Sequence, residues 1–399
     1  MENRYLHMLS WGLLYSGFSL LIVLLYRIMF YNDRALVLYR KGRVCKKLWV
    51  SDFVIFLIIT FISSIRLNTG SDYYNYYLYF NEVKEYFSSL SDVIIKTHNG
   101  FFVLSYFLKS VTDFPYAIFV FVAVFSYYYL FKLLRSEVRD IPSALVCYFF
   151  LGYYAYSNNM IKQYIAMAFV MSAYLLFIRN HKFKSVVCCF MAVFFHYSAL
   201  FVLIIMFLVR RLKPNMNMYW INIVIGIVGA LTLNTFLSAF FDVFSSASGF
   251  AKYINWRRSG QFRLIAAVTA MCAMYAVLTY YIVKYKNKIL SISKNRYQEI
   301  IFLLIGVCIN IIAIRQWIIN RMAVYFYQFV LLILPVLFES MGANEKKKLK
   351  TLLYCLMFGY MIFSSIFLGE NEYFSYDTIF SGNQPISDKQ YNIIHGWQK

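Results

Sequence analysis

Charge is what this chain has least of. Charged residues make up 14% of its 399 positions and acidic ones number only 18, whereas 61% are hydrophobic and the mean hydropathy is +0.59. A soluble core and charged surface cannot be assembled from that ratio, so a polytopic membrane protein is the class that remains. Metal-ligand patterns are missing too. The seven cysteines (Cys45, Cys147, Cys188, Cys189, Cys272, Cys308 and Cys355) fall mostly inside apolar segments, with no CxxC and no His/Cys ligand spacing. They read as small core residues, implying neither a disulfide framework nor a zinc site. There is no GxGxxG and no DxD, so neither a nucleotide-sugar domain nor a bound metal or other cofactor is expected. No internal repeat or soluble domain is visible.

What the chain does have is basic charge and aromatic rings. Its net charge is +21, from 39 Lys and Arg, yet these residues cluster in short stretches between apolar runs. That is the positive-inside pattern of membrane topology, so the charge by itself does not call for nucleic acid. The first apolar run, about 9–29, is too long for a signal-peptide core and has no small-residue cleavage site after it, so it is expected to stay as an anchor. Arg34, Arg40, Lys41, Arg43, Lys46 and Lys47 follow it as a cytoplasmic cluster, which puts the N-terminus outside.

From there the charges predict further spans at about 49–65, 114–134, 141–157, 164–178, 218–240, 264–283, 299–314, 322–338 and 352–368. Between the first and second of these, 67–113 forms an extracytoplasmic loop that carries Asp72, Glu82, Glu85 and Asp92. Within it the run 101–109 is far shorter than the roughly 20 residues of a full span and reads as a re-entrant or interfacial helix. The stretch 186–209 is flanked by basic clusters on both sides. Its simplest solution is a hairpin of two shortened helices with Phe195-His196-Tyr197-Ser198 at the tip, and a single span there inverts every later loop. Counting the hairpin halves, the chain has about twelve transmembrane segments in one helical domain, 1–399, with a polar extracytoplasmic tail, 370–399.

The polar groups of this map concentrate on its outer side. Arg66 ends an apolar run, where an arginine is expensive unless it snorkels or meets an anion, and Gly70 and Asp72 follow in a turn crowded with tyrosines. His196 at a helix break belongs in a wet, protein-walled cavity. Lys252, Arg257, Arg258 and Arg263 lie in one outer loop and Arg315 and Arg321 in another, against the charge rule. Lipid headgroups explain such cations; so does an anionic substrate, phosphate or pyrophosphate, held by guanidinium forks. Tyr73, Tyr74, Tyr76, Tyr77 and Tyr79 form either an interfacial belt or stacking faces for sugar rings. Glu82, Glu85 and His98 read as solvated loop residues.

Four of these stretches resemble, in order, motifs of the EpsG/Wzy-type polysaccharide polymerases. Arg66 with Gly70-Ser71-Asp72-Tyr73 and Tyr76 resembles their R-x-G-[TS]-D-Y-x-x-Y opening, with a longer Arg-to-Gly gap. Asn159-Met160-Ile161-Lys162-Gln163 followed by Ala166 resembles N-x-x-R-Q-x-x-A, with lysine in place of the usual arginine, which keeps the charge and loses the fork. Ala192 to Ala199, through His196 and Ser198, resembles A-x-x-F-H-x-S-A. Arg321-Met322-Ala323-Val324-Tyr325-Phe326 resembles a late R-x-x-x-Y-F helix start.

The resemblance covers about residues 60–330 and implies an all-α, GT-C-like, metal-independent membrane glycosyltransferase. Such an enzyme joins oligosaccharide repeat units carried on a polyprenyl pyrophosphate at the outer face of the bacterial cytoplasmic membrane, for O-antigen, capsule or exopolysaccharide. It implies a flippase and a chain-length regulator as partners, with membrane lipids around it. The donor arrives activated by its pyrophosphate, so leaving-group charge falls to cations and a base is required for the attacking hydroxyl. Asp72 and His196 are the candidate catalytic residues. Arg66, Asn159, Lys162, Gln163, Arg257, Arg258, Arg315, Arg321 and Tyr325 are the candidate substrate contacts. Two other classes fit less well. A membrane O-acyltransferase more often draws its acyl donor from the cytoplasm, and a flippase or transporter needs charges at the bilayer midplane or repeat symmetry.

Overall fold

The computed structural model describes residues 2–31, 35–40, 43–209, 212, 215–243, 261–292, 296–314, 317–368 and 376–386. The chain is mostly helical and packs as two compact units, one comprising Met1–Glu137, Tyr148–Leu200 and Ser364–Lys399, the other Val138–Cys147 and Phe201–Phe363. Arg257, Arg258 and Arg315 lie outside the described residues.

Among the described residues, five helical stretches are long and apolar enough to cross a bilayer: Leu9–Tyr31, Ala117–Glu137, Ile161–Ile178, Ile319–Glu339 and Ala343–Ile366. The bent pair Val268–Lys284 and Lys286–Ile292, broken at 74°, makes a sixth. Six more apolar helices of 10–17 residues fall short of the length on their own, among them Val50–Ser64 and Ser198–Val209. Val50–Ser64 and Gln298–Ile312 fill the expected spans 49–65 and 299–314 almost end to end, whereas the expected run 141–157 is divided at Leu151–Gly152.

In the first unit, α1 (Glu2–Tyr31) is followed by a β-hairpin, β1 (Ala35–Arg40) and β2 (Arg43–Trp49), paired antiparallel with a register irregularity at Leu38/Tyr39. An all-helical expectation misses this hairpin. Its short apolar runs, Ala35-Leu36-Val37-Leu38-Tyr39 and Val44-Cys45, are too brief to stand out beside the apolar spans, and the basic cluster masks them.

The helix α2 (Val50–Ser64) leads out of the hairpin, and its first-turn Asp52 is buried. Asp52 accepts from both Arg135, on α7 (Ala117–Glu137), and the Tyr26 hydroxyl at 2.7 Å, so one carboxylate joins α1, α2 and α7. Arg135 stacks in turn over Trp49 and Phe30, 4.5 and 5.4 Å from the ring centroids. A fork paired bidentately is the strong form of this contact. Breaking it leaves a buried charge without its partner.

Beyond α2 the chain runs through the two-residue strand β3 (Arg66–Leu67) and a set of short helices: α3 (Tyr73–Asn81), α4 (Val83–Tyr86), α5 (Leu90–Thr97) and α6 (Gly100–Val111). Local chemistry sets their ends. Ser89 caps α5 by accepting from the Asp92 N–H at 3.2 Å, His98 ends it in the left-handed region at φ +48°, and Asn99 caps α6 by accepting from the Phe101 N–H at 2.9 Å. The expected short helix at 101–109 is α6. After α7, α8 (Ile141–Phe150) and α9 (Tyr153–Asn159) lead into α10 (Ile161–Ile178), which packs along α11 (Lys182–Phe195). The expected interruption of 186–209 is present: α11 stops at Phe195 and α12 (Ser198–Val209) begins two residues after His196.

The second unit holds the helices Met216–Val243, Gln261–Lys284, Arg296–Ile312, Trp317–Tyr327, Val330–Glu339 and Ala343–Phe363. Its core is apolar, with Phe302 against Phe326 and Phe329, and at its edge Lys350 pairs with Asp140 at 2.5 Å, both half-buried. The Tyr354 hydroxyl bonds Ser143 at 2.6 Å beside that pair.

Candidate functional site

Arg66 is turned into the protein, 2% exposed. One amino group donates to the carbonyl of Ser63 and the other to that of Asn158 at 3.0 Å, while its carbon lies 4.9 Å from the centroid of Phe119. Tyr73 stacks on the same Phe119 ring, 4.4 Å away and nearly parallel. Burial pulls the guanidinium below its ordinary pKa, opposed by the nearby hydroxyls of Tyr73, Tyr127, Tyr154 and Tyr376, and an arginine so placed keeps its charge. Burial likewise pushes the Tyr73 phenol up, against the pull of Arg66. Beneath Arg66 a buried hydroxyl network runs from Ser63 to Tyr127 (2.7 Å) and Tyr154 (3.2 Å), and from Tyr127 to Ser157 (3.1 Å). Arg66 makes no ion pair with Asp72.

The turn that follows docks on α9. Gly70 has φ +94°, and a Cβ there would lie 2.7 Å from Asn159 Oδ1. That same oxygen accepts the Asp72 N–H at 3.0 Å, and Asn159 Nδ2 faces Ser71 Oγ at 3.5 Å. Asp72 stands at the N-cap of α3, but its side chain makes no capping bond. Asn159, 2% exposed, is thus the residue on which the first motif rests, and Gln163 is buried one turn further on.

Lys162 faces aromatic rings. Its Nζ lies 4.5 Å from the centroid of Tyr79, 4.7 Å from Phe101, 4.9 Å from Phe102 and 5.4 Å from Tyr76. Among the described residues it has no hydrogen bond and no ion pair, though the Asp72 carboxylate is near enough to attract it. Four π faces hold a desolvated ammonium by about 2 kcal/mol or more without neutralising it. Two of the five clustered tyrosines are core residues: Tyr73 is 2% exposed and Tyr76, packed on Phe101, 7%.

The first turn of α6 also meets the His196 break. At Gly100 a Cβ would lie 2.7 Å from Phe194 and 3.2 Å from Phe195, and the Tyr197 hydroxyl donates to the His98 carbonyl at 3.2 Å. His196 itself is half-buried, with Nδ1 2.6 Å from Ser198 Oγ. So α6 carries the rings around Lys162 on one side and rests against the His196 break on the other. Gly100→Ala is expected to destabilise the protein by about 1–3 kcal/mol, the range for overpacking, read as a lowered midpoint in a thermal melt. An unchanged midpoint shows that Phe194 simply turns aside.

Arg321 and Tyr325 are in the second unit, one turn apart on Trp317–Tyr327; Tyr325 is 2% exposed and Arg321 is partly exposed. The sequence singled out neither Gly100, Phe101 and Phe102 nor Asn158 and Ser63. The adjacency of Asn158 to Asn159 was the one available signal. No group of three or more potential metal ligands occurs among the described residues.

A helical, multi-pass membrane protein with a cationic, aromatic-walled polar site is the class these features define. The chain belongs to the EpsG family, matching that family's model over residues 49–378, in keeping with the EpsG/Wzy-type motifs and suggesting a polysaccharide polymerase role. No curated protein and no solved structure matches it.

Proposed function

We propose that the protein polymerises oligosaccharide repeat units carried on a polyprenyl pyrophosphate, at the outer face of a bacterial cytoplasmic membrane. The observation that carries this is Lys162, an ammonium held by π faces with its N–H donors unspent among the described residues and within electrostatic reach of Asp72. Such a cation suits the charge that builds on a departing pyrophosphate, with no metal required. Arg66, with both amino groups engaged, positions the Gly70–Asp72 turn.

The base is His196 or Asp72. An imidazole that donates Nδ1–H to Ser198 carries its lone pair on Nε2, the form that accepts a proton from a sugar hydroxyl. Arg321, Arg315, Arg257 and Arg258 are proposed pyrophosphate contacts on residue chemistry alone. The shorter apolar helices complete about twelve membrane segments in this reading, which also keeps the GT-C-like architecture, with a flippase and a chain-length regulator as partners.

Single replacement of His196, Asp72 or Arg321 by Ala in the source strain tests the proposal. The expected gel shows loss of the long-chain glycan ladder while single repeat units persist. An unchanged ladder lacking only acetyl groups points instead to a membrane O-acyltransferase.

A further inference from the structure

The Arg66 turn is held from a second side by a stretch more than 300 residues away in sequence. Strand β4 (Asp377–Thr378) pairs antiparallel with β3, the Ile379 N–H donates to the Ile65 carbonyl at 2.9 Å, and the Tyr376 hydroxyl donates to the Ile62 carbonyl. Asn68, in the left-handed region at φ +53°, bonds this strap twice: its Nδ2 donates to the Gln384 carbonyl at 3.1 Å and its Oδ1 accepts the Ile386 N–H at 3.0 Å. The strap also organises itself. Asp377 accepts from Asn383 Nδ2 at 2.6 Å, and partial burial of that carboxylate is outweighed by its bonds from Asn383, the Thr378 N–H and Ser381, which keep its pKa below the ordinary value.

One feature of the strap is not explained by anchoring. Its outer residues are a bare ring and an amide: Phe380 is 72% exposed, Gln384 is exposed, and the Gln384 carboxamide has no partner among the described residues. We propose that residues 379–386 form a sugar-reading subsite in which Phe380 stacks on the C–H face of a pyranose of the lipid-linked repeat unit and the Gln384 amide bonds its hydroxyls. A ring and a planar amide offer what a pyranose requires: an apolar plate and a paired donor and acceptor. The inference rests on the polymerase reading.

The test uses the full-length protein in phosphatidylethanolamine/phosphatidylglycerol vesicles. The substrate is lipid-linked repeat unit extracted from a source strain lacking this polymerase, and initial rates are taken against its concentration. Phe380→Ala and Gln384→Ala are each expected to raise KM about tenfold with kcat within about twofold of wild type, while Phe380→Tyr keeps the wild-type KM. Phe380→Leu is expected to be as weak as Phe380→Ala. A Leu variant with wild-type KM makes the position a mere apolar or lipid contact and overturns the subsite, as does an unchanged KM in both alanine variants. A strap that is only structural lowers kcat or the amount of folded protein and leaves KM alone, which also overturns it. Wild-type protein that makes no polymer from this substrate sinks the polymerase reading, and the subsite with it.

Discussion

Lys162→Gln is expected to slow polymerisation by about 10²–10³-fold, the loss of about 2.7–4 kcal/mol that follows removal of one preorganised charge-stabilising donor. Glutamine keeps nearly the length of the lysine and can lie among the same rings, so the change isolates the charge. On stability two effects oppose each other. The substitution gives up the attraction of Tyr79, Phe101, Phe102 and Tyr76 for the ammonium, and it relieves the desolvation of a cation that has no acceptor among the described residues. The protein should therefore reach the membrane in wild-type amounts.

Lys162→Arg is the informative companion. A guanidinium stacks on aromatic faces, keeps the charge and matches the arginine of the related motif, so at least a tenth of the rate is expected to survive. The measurement is a single-turnover rate with lipid-linked repeat unit. A Gln variant at wild-type speed removes Lys162 from the chemistry and leaves it a packing residue.

How much of this was legible in the sequence differs from one residue to the next. The membrane class and the helical content followed from composition, and the break at His196 followed from basic clusters at both ends of one apolar run. The pairing of Asn159 with the Gly70–Asp72 turn was not legible, because motifs 87 residues apart give no sign of their contact. Arg66 looked like a group in search of an anion, since a lone arginine ending an apolar run has no visible partner. The carbonyls that its two amino groups meet, from Ser63 and Asn158, are backbone groups and leave no trace in residue identity. The strap was hidden for the same reason: its grip on Asn68 is through the Gln384 carbonyl and the Ile386 N–H. The hairpin 35–49 was lost because a strand of six or seven residues carries far less apolar signal than a membrane span.

Gly70→Ala is the second change expected to be severe, and it acts through two separable costs. A φ of +94° is open to glycine and strained for any residue with a Cβ, at about 1–3 kcal/mol. The new methyl would also stand 2.7 Å from Asn159 Oδ1, so the amide must swing away and give up the Asp72 N–H, a further loss of about 0.5–1.5 kcal/mol. With Asp72 displaced from Lys162, a fall in rate of at least about a hundredfold is expected, since misplacement of about 1 Å is enough for that.

A double-mutant cycle separates the two costs. Asn159→Ala alone loses the bond and should cost about tenfold in rate. In the Gly70→Ala background it removes the obstructing oxygen and should cost little more, giving a coupling of about 0.5–3 kcal/mol between the two positions. Full additivity means the two residues do not touch in the working protein. A Gly70→Ala enzyme with wild-type rate means that the turn is not docked on α9 when the reaction occurs.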